Sequence, residues 1–170
     1  MNAVVESHPD ALSGLQQVLT FTLGNESFGV EILRVQEIRG WSRVTQIPEA
    51  PPHVLGVQNL RGSLVPIVDL RTRLGLERVE YTPLTVIVVL SVEDSGNGHR
   101  DIGIVVDSVS DVSDLRQDDL KAAPDLGTGT NTEFIRALAT IGDRMVMLLD
   151  ADRLLAAQLQ VRVPALESDS

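Results

Sequence analysis

The chain has 170 residues, 43% of them apolar, which is enough to bury a core as one domain or as two small ones. Its 14 basic and 24 acidic residues give a net charge of -10, which disfavours binding to nucleic acid or to an anionic membrane surface. The absence of cysteine excludes disulfides, thiolate metal sites and a cysteine nucleophile, and no apolar run approaches the ~20 residues of a spanning helix, so we expect a cytoplasmic protein without membrane insertion.

The predicted elements are short and mostly β. Two brief helices are expected, one just after Asp69 and one over residues 150–160 with Asp150 as its N-cap. Residues 1–14 and 161–170 are expected to be flexible tails. Six runs rich in β-branched or aromatic residues and bounded by turn formers predict strands at 18–23, 28–32, 66–70, 85–90, 101–106 and 144–149. Short strands at such regular spacing are typical of small barrels or sandwiches.

An internal repeat is the most informative feature of the chain. FGVEILRVQEI (28–38) and IGIVVDSVSDV (102–112) share one pattern, which aligns Gly29 with Gly103. A looser match follows each copy, between residues 62–74 and 142–155. We interpret the chain as two similar β-subdomains packed together, and chance similarity between β-rich segments is the alternative. In the first copy, strand alternation predicts that Gly29 faces outward.

Motifs of the common enzyme classes are absent from the sequence. It contains no G-x-S-x-G elbow, no phosphate-binding P-loop, no H-E-x-x-H helix and no EF-hand spacing. The three histidines, His8, His53 and His99, do not stand at metal-ligand spacing from one another, and solvated loop histidines are the simpler interpretation. We therefore expect no catalytic residue, no metal and no cofactor, with an enzyme of unrecognised type as an alternative.

The stretch NLRGSLVPIVDLR (59–71) combines a turn signal with an apolar strand that contains Pro66. Because proline cannot donate to a sheet ladder, this strand is expected to be an edge strand or to be bulged at Pro66. Arg61 and Gly62 occupy the two loop positions of a tight hairpin, which would expose the guanidinium. An exposed arginine beside a strand edge and apolar neighbours favours a protein docking site, and an ordinary surface arginine is the alternative.

The partner of Arg61 is left open by the sequence. Glu37 is one candidate because it lies in the edge of the first repeat copy, and Asp69 on the outgoing strand is another. Direct contact between Arg61 and a bound protein is the third possibility. An exposed ion pair contributes about 0 to 1 kcal/mol to stability, so its role would be to orient the arginine.

Four segments together resemble the CheW family of bacterial chemotaxis coupling proteins. They are FTLGNESFGVEILRVQEIRG, VLGVQNLRGSLVPIVDLR, IGIVVDSVSDV and IGDRMVMLLDADRLL, in the family's order across residues 15–160. The resemblance implies two five-stranded SH3-like barrels, no catalytic activity, and a bridge between transmembrane chemoreceptors and the CheA histidine kinase. It also implies self-association in array rings.

The same resemblance implies a receptor-binding groove between the subdomains. The residues that match the family's pattern there are Val35, Glu37, Asn59, Arg61, Val86, Gly103 and Val112. Residues that would contact the kinase are not identified. An adaptor of another receptor and kinase array, serving pilus motility or biofilm signalling, would use the same docking chemistry and remains an alternative.

Overall fold

The computed structural model describes residues 17–77, 79–93, 98–122 and 134–155. Within these ranges the chain is mostly β, with two short α-helices, α1 (Leu70–Arg73) and α2 (Ala151–Leu155), and 3-10 turns at Ile32–Arg34 and Gln117–Asp119. The strands are β1 (Gln17–Leu23), β2 (Glu26–Glu31), β3 (Val35–Gly40), β4 (Val54–Leu60), β5 (Ser63–Asp69), β6 (Val86–Glu93), β7 (His99–Val106), β8 (Ser108–Asp114), β9 (Leu120–Ala122), β10 (Ile135–Ile141) and β11 (Arg144–Leu149). The predicted tails, 1–14 and 161–170, lie outside the described residues.

Both α-helices begin after an aspartate, as predicted. The Asp69 carboxylate accepts a hydrogen bond from the backbone N–H of Arg71 at 3.0 Å, and Asp150 accepts one from the N–H of Arg153 at 3.1 Å. Each side chain therefore satisfies a backbone donor that the first helical turn leaves unpaired. Residues 156–160 of the second predicted helix lie outside the described part of the chain.

The strands form two packed sheets, which confirms the predicted mostly β architecture. The first sheet has the order β8-β1-β2-β11-β10-β9, and the second has the order β3-β6-β7-β5-β4. A shared apolar core containing Phe21, Leu90 and Ile102 lies between them. Each sheet also encloses a smaller core of its own, around Val146 in the first sheet and around Ile87 in the second.

Each sheet combines strands from both copies of the sequence repeat. The first sheet joins the β1–β2 hairpin to β8, β10 and β11, and the second joins the β6–β7 hairpin to β3, β4 and β5. Only Ile32–Arg34 separate β2 from β3, and only Asp107 separates β7 from β8. A connection of three residues spans about 11 Å at most, whereas a six-residue strand is about 20 Å long. The chain therefore cannot turn back to place β3 beside β2 in the same sheet, and it crosses to the other sheet instead. The two halves of the chain therefore complete each other, and neither repeat copy forms a subdomain alone.

In each sheet, the segment that follows one edge strand, β3 or β8, reaches the opposite edge and closes the sheet. After β3, Thr45 forms an isolated bridge with Val57 on β4, the opposite edge of the second sheet, through backbone hydrogen bonds of 2.9 and 2.8 Å. After β8, the short strand β9 pairs with β10 through Leu120 and Ala139 at the opposite edge of the first sheet. The first sheet thus has a sixth, three-residue strand where the sequence predicts five.

Gly29 and Gly103 occupy equivalent positions, as the repeat predicts. Gly29 lies opposite Leu148 in a parallel ladder, and Gly103 lies opposite Ile67 in another. A Cβ atom on Gly29 would come within 3.0 Å of Leu148, and one on Gly103 would come within 2.7 Å of Ile67 and 2.9 Å of Ile87. Gly29 is therefore buried between strands instead of facing outward, because both faces of this sheet are covered.

Pro66 lies on an interior strand, so the expectation of an edge strand is wrong. Its strand β5 runs between β4 and β7 in the second sheet. The ladder to β7 begins at Ile67, one residue after the proline, so the missing N–H falls before that ladder starts. The irregularity in the β4–β5 ladder lies between Val54 and Gly56 on β4, and not at Pro66, which pairs regularly with Val57.

Two bidentate ion pairs link the sheets at equivalent places with opposite polarity. Arg71 on α1 donates to Asp107, between β7 and β8, at 2.9 and 2.6 Å. Arg34, between β2 and β3, donates to Asp152 on α2 at 2.9 and 2.7 Å. The helix therefore carries the cation in one copy and the anion in the other, and both pairs lie where a strand crosses from one sheet to the other.

Removing the charge of Asp107 should destabilise the fold in a pH-dependent way. Hydrogen bonds from Arg71, and to a lesser degree from the backbone N–H of Gly24, hold the pKa of Asp107 below its usual value, against the opposing effect of burial. We expect Asp107→Asn to lower the free energy of unfolding at pH 7 by about 1 to 3 kcal/mol. Because the folded-state pKa is depressed, this stabilisation is present above about pH 4 and is lost as the pH falls through the folded-state value.

Urea unfolding of the wild type and of Asp107→Asn between pH 7 and pH 3 measures this difference. It should shrink below about pH 4. Asp101→Asn, at an exposed position of β7, is the control and should change little at any pH. A difference between wild type and Asp107→Asn that stays constant across the range would contradict the assignment of the stabilisation to the ionised pair.

Candidate functional site

The turn between β4 and β5 presents Arg61 to solvent. Leu60 and Ser63 are the last paired residues, which leaves Arg61 and Gly62 as a two-residue hairpin loop. The φ angles of Arg61 and Gly62 are 54° and 88°, and positive values at both central positions are those of a type I′ turn. The predicted hairpin is confirmed, with the addition that the arginine itself takes a left-handed backbone conformation, at a cost of roughly 1 to 3 kcal/mol.

Arg61 pairs with Glu37. The Nη1 atom of Arg61 lies 2.9 Å from Oε1 of Glu37 on β3, so the ion pair spans the gap between the two edges of the second sheet. The Arg61 side chain is 73% exposed and that of Glu37 is 24% exposed. The alternative partner Asp69 instead caps α1 and accepts a hydrogen bond from the Tyr81 hydroxyl at 2.9 Å.

The carboxylate of Glu37 is incompletely satisfied. Its Oε1 atom is buried and has no aligned hydrogen-bond donor, although the Arg61 nitrogen is only 2.9 Å away. The two groups form an ion pair because their charges are close, but they do not form a hydrogen bond, since a hydrogen bond also needs the N–H to point at the oxygen. Arg39 lies 3.5 Å from the other oxygen, Oε2. Glu37 therefore holds Arg61 by charge attraction and not through an aligned hydrogen bond.

The predicted apolar site residues lie on three strands, β3, β6 and β8. Val35 and Glu37 flank an irregularity in the β3–β6 ladder, which is the kind of bulge that redirects side chains. Val86 pairs with Gly40 at the other end of the same ladder and is half-buried. Val112 lies on β8, in the other sheet, and is 48% exposed.

Ile38 is an exposed apolar residue of β3 that was not among the predicted residues. It is 43% exposed, and because it pairs with Val88 while Glu37 pairs with Val89, it lies on the opposite face of the strand from Glu37. The repeat aligns Ile38 with Val112, which is among the predicted residues, so the sequence contains the signal for Ile38 as well.

Asn59 and Gly103 occupy different environments. Asn59 is exposed at the end of β4, and its side-chain oxygen accepts a hydrogen bond from the backbone N–H of Gly62 at 2.9 Å. Gly103 is buried in β7, where the side chains of Ile67 and Ile87 fill the space that a Cβ would need. Gly103 thus offers no side chain to a surface, and its position affects the groove through packing.

A cavity of about 480 Å³ lies where β2, β10, β11 and α2 meet. Four of the charged side chains that line it form two ion pairs, since Arg34 binds Asp152 at 2.7 Å and Arg136 lies 3.5 Å from Glu31. Within residues 17–77, 79–93, 98–122 and 134–155, no group of His, Asp and Glu side chains could hold a metal ion.

The two described histidines lie in different parts of the chain, before β4 and at the start of β7. The backbone carbonyl of His53 accepts a hydrogen bond from the N–H of Asp69 at 2.8 Å, and His99 is exposed at the start of β7. His8 lies outside the described residues. In the part of the chain that the structure covers, no helix has the length and apolar character needed to cross a membrane.

Comparison with known proteins identifies the family. The CheW-like domain family matches residues 17–159. The chemotaxis protein CheW of Klebsiella aerogenes is 44% identical over 143 residues, covering 84% of this chain and 83% of that protein, and CheW of Rhizobium meliloti is 39% identical over 140 residues, covering 82% and 87%. The crystal structure of the scaffolding protein TtCheW from Thermoanaerobacter tengcongensis matches with a TM-score of 0.74 at 26% identity, covering 82% of this chain and 92% of that one. The chain therefore belongs to the CheW family of non-catalytic chemotaxis scaffolding proteins.

Proposed function

We propose that this chain couples transmembrane chemoreceptors to a CheA-type histidine kinase by binding both at once. Membership of a family of chemotaxis scaffolds supports the adaptor role. The cytoplasmic tip of the receptor docks on the surface around Arg61 and Glu37, and the chain works in the cytoplasm at membrane-bound receptor arrays. Residues 15–160 form the docking domain, with tails on either side.

The exposure and backbone conformation of Arg61 are the main support for the receptor site. Its side chain is 73% exposed and its backbone is held at a φ of 54°. An exposed ion pair contributes about 0 to 1 kcal/mol, which does not exceed the roughly 1 to 3 kcal/mol cost of this backbone conformation. Stability alone therefore gives no reason for an arginine at this turn position, whereas recognition of an acidic group on a partner does.

The other residues of the proposed site supply apolar groups to accompany the Arg61–Glu37 pair. Val35, Val86 and Val112 offer apolar contacts. An interface of this kind needs an apolar centre with charged groups that fix orientation. Gly103 belongs to the site through the packing of β7, which supports β5 and β6 on either side.

The kinase and neighbouring copies of this chain are the further proposed partners. The kinase binds a surface other than the Arg61 turn, so that receptor and kinase are held together. Self-association extends the array into rings. Contacts that are individually weak become strong when they are made together, because each one raises the effective concentration for the next.

The second candidate is an adaptor of a different array, serving pilus motility or biofilm signalling. Its docking chemistry would be the same, so only the identity of the receptor and kinase separates the two functions. Co-purification with the receptor and the kinase made by the same bacterium decides between them. Capture of a pilus or biofilm array kinase in place of the chemotaxis kinase would favour the second candidate.

Kinase activity should depend on the amount of this chain in a biphasic manner. With receptor and kinase held at fixed concentrations, added chain first links them and raises kinase autophosphorylation. Excess chain then occupies each partner separately and the activity falls, as for any bridging molecule. Labelled ATP measures this effect, and the label should appear on the kinase and not on this chain. A monotonic rise to a plateau would count against simple bridging.

A further inference from the structure

We infer that Asn59 is a positioning residue that holds the turn presenting Arg61 and affects receptor docking through Arg61, not by touching the receptor. The inference rests on the proposed receptor-coupling function. It assigns Asn59 a role different from that of the other exposed residues of the site.

The side-chain oxygen of Asn59 is already used inside the protein. It accepts a hydrogen bond from the backbone N–H of Gly62 at 2.9 Å. This bond runs from the end of β4 to the second loop residue of the turn, and so it spans Leu60 and Arg61. A side-chain oxygen that binds a nearby backbone N–H is a recurrent way to fix a tight turn.

Arg61 needs such support because its backbone conformation is unfavourable for arginine. Its φ of 54° is left-handed, and asparagine and glycine are the residues preferred at the first loop position of a type I′ turn. With arginine there, the turn has a weak intrinsic preference for its observed shape. The hydrogen bond from the Gly62 N–H to the Asn59 side-chain oxygen compensates, because it stabilises the closed turn.

The closed turn in turn sets the position of the guanidinium. Nη1 of Arg61 lies 2.9 Å from Oε1 of Glu37 on β3, across the seam between the edges of the second sheet. If the turn opened, the start of the long arginine side chain would shift, and the pair with Glu37 would be lost together with the orientation of the fork. Asn59 thus sets the orientation of the Arg61 guanidinium that a partner would bind.

A double-mutant cycle tests this assignment. The affinity of the full-length chain for a soluble fragment containing the cytoplasmic tip of a chemoreceptor from the same bacterium is measured for wild type, Asn59→Ala, Arg61→Ala and the double variant. We expect Asn59→Ala to weaken binding about three- to tenfold. In the Arg61→Ala background the same substitution should have no further effect, because Asn59 acts only through Arg61. Additive losses would overturn the inference and make Asn59 a direct contact.

The conservative variant separates the oxygen of Asn59 from its amide nitrogen. Asn59→Asp keeps an acceptor for the Gly62 N–H and removes the amide donor, so it should bind the receptor fragment better than Asn59→Ala does. Equal losses in the two variants would contradict the positioning role. Thermal unfolding of each variant checks that the fold is intact.

Hydrogen exchange at the Gly62 amide tests the turn without any receptor. Protection of this amide should be lost in Asn59→Ala and kept in Asn59→Asp and Arg61→Ala. Unchanged protection in Asn59→Ala would overturn the inference whether or not the chain binds receptors. If the wild-type chain fails to bind any receptor fragment while the protection pattern is as expected, the proposed function fails and the role of Asn59 in the turn stands.

Discussion

Arg61→Glu is expected to abolish receptor coupling while changing the free energy of unfolding by less than about 1 kcal/mol. The side chain is 73% exposed, so its loss leaves no buried group unpaired except Glu37, which Arg39 also approaches at 3.5 Å. The new carboxylate would face Glu37 and repel the acidic group that Arg61 is proposed to bind. Receptor-dependent kinase activation and thermal unfolding measure the two effects separately. Arg116→Glu, the same charge change at an exposed position after β8, is the control and should keep receptor binding.

Adding Glu37→Arg to this variant distinguishes two roles for the ion pair. If the pair orients the turn, the double variant restores opposite charges and should recover part of the coupling, although the nearby Arg39 limits the recovery. If Arg61 acts by direct contact with the receptor, the double variant should be no better than the single one. An equal loss of folding and coupling in Arg61→Glu would make the arginine a structural residue and defeat both versions.

The local features of the site could be predicted because they depend on short stretches of sequence. Arg-Gly between two apolar runs predicts a two-residue hairpin, and the structure has one at Arg61 and Gly62. The candidate Glu37 came from the repeat and from the family resemblance, and the 2.9 Å ion pair confirms it. The left-handed conformation of Arg61 could not be predicted, because glycine at the next position already satisfied the turn pattern.

The exchange of strands between the repeat copies could not be predicted from the repeat alone. A doubled pattern is equally compatible with two separate barrels and with two halves that complete each other. What decides between them is the length of the crossings, Ile32–Arg34 and Asp107, and the sequence does not mark where β3 and β8 begin. Neither strand contains a fully buried residue: β3 alternates half-buried and exposed residues, and β8 reads SVSDVSD, which has little of the apolar character of a core strand.

The predictions for Pro66 and Gly29 were wrong for different reasons. Pro66 was expected at an edge because proline cannot donate to a ladder, but its missing N–H falls before the ladder to β7 begins at Ile67. Gly29 was assigned to a sheet with one exposed side, whereas its sheet is covered on both faces, where strands lose the alternation of apolar and polar residues. The isolated bridge from Thr45 to Val57 also left no signal, because the segment 41–45 has no strand pattern.

Gly56→Ala should be among the most destabilising single substitutions in the chain. The φ of Gly56 is 151°, and a Cβ there would lie 2.1 Å from the backbone oxygen of Thr45, which closes the second sheet by accepting from Val57. Because backbone cannot move aside as a side chain can, we expect the free energy of unfolding in urea to fall by on the order of 3 to 5 kcal/mol.

Two other glycines are matched controls. Gly62→Ala, at a φ of 88° with open space around it, isolates backbone strain and should cost roughly 1 to 2 kcal/mol. Gly40→Ala has neither strain nor a close neighbour and should change stability by less than about 0.5 kcal/mol. Similar losses at Gly56 and Gly62 would show that strain, and not the contact with Thr45, requires glycine in β4.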